Sequence, residues 1–214
     1  MQEAAPVDAP ARDADVAAFL PLALLHSVRS HDRPKEVLED ENLTASLPRR
    51  LGLSDVIHTQ IRRYEEATRK GRNVPARELV DLIRLVIRRP DAEEILDEAG
   101  SGVVALYLQG MGERRARVAR VLPRALARTA LARRARALSR RIAAGAESAV
   151  EKGPIRLRLR DSITAEVDPG GAACGLYTSV FRALAGRYLR TEPGVEHNRC
   201  SARGDEVCEW TVHE

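Results

Sequence analysis

The apolar period of this chain changes at Gly153, and that change limits its fold more than any other feature. Before it, apolar residues recur every three or four positions, as on helix faces. After it, Ile155, Leu157 and Leu159 alternate with Arg156, Arg158 and Arg160, the period of two of a half-buried strand. The expectation is an α+β fold, with a helical N-terminal half followed by a small antiparallel sheet packed on helices. Its parts are a flexible tail over 1–14, a helical part over 15–112 and a mixed domain over 113–214.

Helix boundaries follow from capping residues, Gly and Pro. Asp15 can cap a helix reaching about Arg29 with Val16, Leu20, Leu24 and Val28 on one side, although Pro21 kinks it or marks its true start. Ser54 caps a helix with Ile57, Ile61 and Tyr64 inward, ending near Gly71. Asn73 and Pro75 open a third, burying Leu79, Ile83, Val86 and Ile87. Pro90 stops it and begins a helix that closes at Gly100, and Ser101 caps a short one through Val104, Tyr107 and Leu108. Beyond Pro123, Leu131, Leu138 and Ile142 form one apolar stripe, with Gly145 as its end. After a turn at Asp168–Gly171, Tyr177, Phe181, Leu184 and Tyr188 share a helix face, which Pro193 and Gly194 end. The chain closes with a hairpin: a strand over Val195–Cys200, a turn with Gly204 and Asp205, and a strand over Val207–Val212.

At 214 residues the chain is long enough for a sizeable core. Its 44% hydrophobic and 31% charged residues exclude wholesale disorder. With only 3% aromatics it has little to stack on bases, which argues against single-strand nucleic-acid binding. The formal charge of +4 is unevenly spread, because eleven arginines fall between Arg114 and Arg141. A solvated helix face accounts for them as well as a phosphate-binding surface would, and no nucleic-acid reader motif accompanies them. The longest apolar run, Val16–Leu25, contains Pro21 and is about half a bilayer span. No basic n-region precedes it, so a cytoplasmic address is expected, with nucleic acid and membrane not expected as partners.

All three cysteines lie in the last 41 residues. Cys200 and Cys208 flank the Gly204 turn, Cys174 stands at the start of a helix, and His197 precedes Cys200 by three. Three cysteines and a histidine are a standard tetrahedral zinc set, and a helix N-terminus favours the thiolate that binds metal. Spacing leaves other readings open: buried thiols as small hydrophobes, a Cys200–Cys208 disulfide, or a surface His197. His197 and Cys200 would face opposite sides of a regular strand, so shared ligation requires a bend or bulge.

The run from Cys174 to Val212 resembles the end of the 4-vinyl reductase domain family. The matching features are Cys174-Gly175-Leu176-Tyr177 entering an amphipathic helix, then Cys200-Ser201-Ala202-Arg203-Gly204-Asp205, then Cys208-Glu209-Trp210. The family shares a structural group with trafficking TRAPP subunits and includes sensor domains for aromatic compounds, in which three cysteines and one acidic residue hold zinc. The gaps of 22, 2 and 7 residues fit that pattern, with the acidic ligand falling at His197 and Glu196 beside it. The resemblance implies a TRAPP-like fold, a structural zinc on Cys174, His197, Cys200 and Cys208, pairing as a homodimer, and a stand-alone sensory or small-molecule-binding module. Ile155, Leu157, Phe181, Leu184 and Trp210 are candidate walls of a pocket for a small apolar ligand, or else ordinary core. An assembly protein of the TRAPP type without ligand, and a polyanion binder using the basic helix, are the alternatives. No phosphate loop, G-x-S-x-G or H-E-x-x-H is found, so no enzymatic activity is expected.

Overall fold

The computed structural model describes residues 14–32, 55–110, 123–143, 148–150, 155–160, 162–189 and 192–213. Among them are seven α-helices and two antiparallel sheets, an α+β fold. Both the 15–112 and the 113–214 stretch contribute to one apolar core. No helix of the described residues is long and apolar enough to cross a membrane.

The first sheet pairs β1 (Asp15–Ala17) with β2 (Asn73–Pro75), Val16 opposite Val74. Asp15 is therefore in a strand rather than a helix cap, whereas Asn73–Pro75 forms a strand that runs straight into the helix beginning at Ala76, with Pro75 as its N-cap. Residues 1–13 lie outside the described residues, and the Ala14 carbonyl accepts the Ala76 N–H at 2.8 Å. Helix α1 (Phe19–His31) starts three residues later than the capping pattern implies, with Ala18 rather than Asp15 at its N-cap. Pro21 thereby falls in the first turn, where its missing N–H has no helical partner to lose. Phe19 to Leu25 are all buried, so α1 is apolar nearly all round, as a central helix must be.

Around it lie α2 (Asp55–Arg69), α3 (Ala76–Val86) and α4 (Ala92–Gln109). Ile61 and Tyr64 bury the inner face of α2, while Ser54 lies outside the described residues. Gly71 follows α2 at φ +65°, a left-handed conformation that glycine adopts at little cost. Leu79, Ile83 and Val86 are buried as the spacing predicts, and Ile87 is the half-buried residue closing α3.

Helix α4 runs straight through Gly100, where the sequence points to a break and a fresh cap at Ser101. The cause is tertiary. A Cβ on Gly100 would meet Ser179 Cβ at 2.5 Å and Val180 N at 2.8 Å, so glycine lets α4 press against α7 (Gly175–Tyr188). On the opposite side Gly102 faces Ala23 of α1. Small residues on two faces make α4 the layer between α1 and α7. The Ser27 hydroxyl seals the α1 side by donating to the Ile95 carbonyl at 2.8 Å.

Helix α5 (Arg124–Ile142), with Pro123 at its N-cap, buries the predicted stripe of Leu131, Leu138 and Ile142, and Ala127 and Ala135 beside it. The expected stop at Gly145, and Arg114, Arg115, Arg117 and Arg120, lie outside the described residues. The second sheet has the order β3 (Ser148–Val150), β4 (Ile155–Leu159), β6 (Cys208–His213), β5 (Gly194–Arg199), antiparallel throughout. β4 buries Ile155, Leu157 and Leu159, as its alternation predicts. Helix α6 (Ile163–Val167) leads into the Asp168–Gly171 turn.

Candidate metal centre

Three elements bring the centre together. A turn of 3-10 helix, Ala172–Cys174, delivers Cys174 to the N-terminus of α7. The turn ahead of it is fixed by the Asp168 carboxylate, which accepts the N–H groups of Gly170 (2.9 Å) and Ala173 (2.8 Å). Strand β5 carries His197 and ends just before Cys200, and β6 begins at Cys208.

The register of β5 on β6 supplies the required irregularity. His197 pairs with Trp210 but Arg199 pairs with Glu209, so the ladder shifts between them. This bulge brings His197 and Cys200 to the same side, which a regular strand forbids. The Asp205 carboxylate then holds the Cys200 N–H at 2.7 Å, and Gly204, at φ +96°, completes the turn to Cys208.

One ligand atom from each of Cys174, His197, Cys200 and Cys208 lies within 4.8 Å of the other three. The three thiols are fully buried, and Cys174 Sγ and Cys200 Sγ are 3.9 Å apart. His197 Nε2 is buried with no hydrogen-bond partner, an arrangement that costs free energy unless something ligates it. All three cysteines are free, so the Cys200–Cys208 disulfide reading is not realised. Soft thiolates with an imidazole suit a metal ion. Glu196, the neighbouring acid, points elsewhere: it is exposed and pairs with His213 Nε2 at 3.2 Å.

The surroundings are arranged for anionic sulfur. Thr164 Oγ1 lies 3.2 Å from Cys174 Sγ and is itself 2.9 Å from Ser162 Oγ. The Ser201 N–H donates to Cys208 Sγ at 3.4 Å, and its hydroxyl lies 3.1 Å from the same sulfur. The hydrogen bond with Cys174, reinforced by Ser201, holds the Cys208 thiol far below its ordinary range. That same bond with Cys208, together with burial, pushes Cys174 up. The His197 ring stacks on Trp210 with centroids 4.6 Å apart and planes 7° from parallel. Trp210 is anchored in turn by its N–H to Thr178 Oγ1 at 2.9 Å and by the edge of Tyr177 at 5.8 Å. Of these supports only Ser201, adjacent to Cys200, was within reach of a sequence pattern. Thr164 becomes a neighbour only through the fold.

The candidate pocket walls take a different place. Ile155, Leu157, Phe181, Leu184 and Trp210 are all buried in the core. None of them lines either of two surface cavities: one along α5, and one between the ends of α1, α2, α4 and α5. Arg128, Arg133 and Arg136 border the α5 cavity. Arg124, Arg128, Arg134 and Arg136 each have an interaction partner.

Fold and site together define an α+β protein with a candidate Cys3His metal centre at the corner where α7 meets the terminal hairpin. No family model, curated protein or solved structure matches the chain.

Proposed function

We propose that this chain is a stand-alone small-molecule-binding or sensory module of the 4-vinyl reductase type, built around a structural zinc. The observation that carries the reading is the convergence of Cys174, His197, Cys200 and Cys208 within 4.8 Å. Zinc is the metal these residues fit best. With Zn–S bonds of about 2.3 Å, tetrahedral geometry places two sulfurs about 3.8 Å apart, close to the 3.9 Å between Cys174 and Cys200. Four protein ligands leave no open position, so the ion holds structure and performs no catalysis. It would tie the N-terminus of α7 to both strands of the hairpin, with Thr164 and Ser201 steadying the sulfurs as outer-shell partners.

The spacing from Cys174 to Cys208 supports the family, and with it a cytoplasmic homodimer pairing through helices. Native mass spectrometry of protein purified without added metal tests the reading. The expected spectrum is a dimer with about one zinc per chain and, where present, a retained small molecule. A metal-free monomer that stays folded overturns it.

A further inference from the structure

The binding-module reading leaves the ligand and its place unspecified, since the residues first expected to wall a pocket are packed core. A separate cavity of about 420 Å³ opens between the ends of four helices. That size is at the lower end of the range typical of small-molecule sites. Phe19 of α1 and Tyr107 of α4 form an aromatic wall, with ring centroids 6.0 Å apart and planes at 53°. Two leucines extend that apolar surface.

Two arginines also line the cavity, Arg69 at the end of α2 and Arg141 near the end of α5. The Arg141 guanidinium carbon lies 5.0 Å from the centre of the Phe19 ring, so the cation is held at the edge of the apolar surface rather than swinging in solvent. Neither arginine is ion-paired with a carboxylate among the described residues. The one acid in the wall, Glu65, faces His26 Nε2 at 3.7 Å. Thr68 adds a buried hydroxyl oxygen without a hydrogen-bond partner. The cavity thus combines an aromatic floor and a net positive rim.

We infer that this cavity binds a small organic monocarboxylate with an aromatic or compact apolar body, its carboxylate held by Arg141 and Arg69 and its body against Phe19 and Tyr107. A carboxylate accepts charge-assisted hydrogen bonds from guanidinium that a neutral isostere cannot match. The inference rests on the binding-module reading but not on the metal, because none of the four candidate ligands lines this cavity.

The test is calorimetric titration of the full chain with 2-naphthoate and with its neutral isostere 2-naphthamide. The naphthoate is expected to bind with a dissociation constant on the order of 100 µM, roughly tenfold tighter than the amide, and to weaken as salt rises. Arg141→Gln and Arg69→Gln change exposed side chains, so both variants should keep the circular dichroism and metal content of the parent. Each should bind naphthoate several-fold more weakly while leaving the amide nearly unchanged. Equal affinity for acid and amide, no saturable naphthoate binding below about 1 mM, or parental affinity in both variants overturns the inference. Metal content and native mass spectra of the same samples separate the two ideas. A different molecule retained alongside an unresponsive cavity would retire this site and leave the module reading standing.

Discussion

The helical half and the hairpin corner bury different kinds of side chain in one core. In the first, α1 is buried on almost every side, and α4 fits between α1 and α7 through Gly102 and Gly100. Its cohesion comes from apolar area and close packing, at about 1.5–3 kcal/mol for each large side chain fully buried. In the corner, three thiols and the Thr164 hydroxyl are buried, and the half-buried His197 imidazole and Ser201 hydroxyl close over them. Burying so many polar groups is unfavourable unless each finds a partner. The contrast teaches that one chain can set a cluster of thiols and an imidazole, able to hold a metal ion, at the edge of an otherwise apolar core.

The largest expected effect breaks that contrast at the corner. Cys200→Ser should lose the metal and, with it, about 4 kcal/mol of stability, the scale set by a ligand present at a thousandfold its dissociation constant. Metal analysis and chemical denaturation read both. A variant that loses metal at unchanged stability would show the corner standing without it.

Next, Gly100→Ala breaks the helical region instead. Its Cβ would fall 2.5 Å from Ser179 Cβ and 2.9 Å from the Leu176 carbonyl oxygen, so α4 and α7 must separate. Overpacking of this kind costs about 1–3 kcal/mol, although alanine is by itself the better helix former. The expected signature is a lower denaturation midpoint with metal content unchanged.

These two variants also mark what the sequence made legible. The Cys/His cluster was readable because cysteine and histidine are few and their chemistry narrow, and because the conflict between His197 and Cys200 announced the bulge. The alternation at Ile155–Leu159 and the buried face of α7 were readable because local period reports burial directly. Gly100 misled because a glycine that ends a helix and one that lets two helices touch look alike until the partner helix is placed. Asp15 misled because strand β1 is defined by its pairing with β2, far along the chain. The inward residues of β4, α7 and β6 read equally well as core or pocket wall, and only packing decides that they are core.

A smaller effect sharpens the comparison where the regions meet. The Tyr177 hydroxyl, fully buried, donates to the Ile142 carbonyl at the end of α5 (3.0 Å), and burial pushes its pKa up. Tyr177→Phe leaves that carbonyl unsatisfied and should cost about 1–2 kcal/mol, with metal retained, by urea denaturation. The smallest effect belongs to Glu196→Ala. Its carboxylate is exposed and pairs only with His213, so stability should move by no more than about 0.5 kcal/mol and metal content should not change. Loss of metal in this variant would reassign the fourth ligand from His197.

X-ray absorption at the zinc edge of protein purified without added metal tests the Cys3His centre most directly. The expected first shell is three sulfurs at about 2.3 Å and one nitrogen at about 2.0 Å, supplied by Cys174, Cys200, Cys208 and His197. A shell of oxygen and nitrogen only, or the absence of zinc from folded protein, would contradict it.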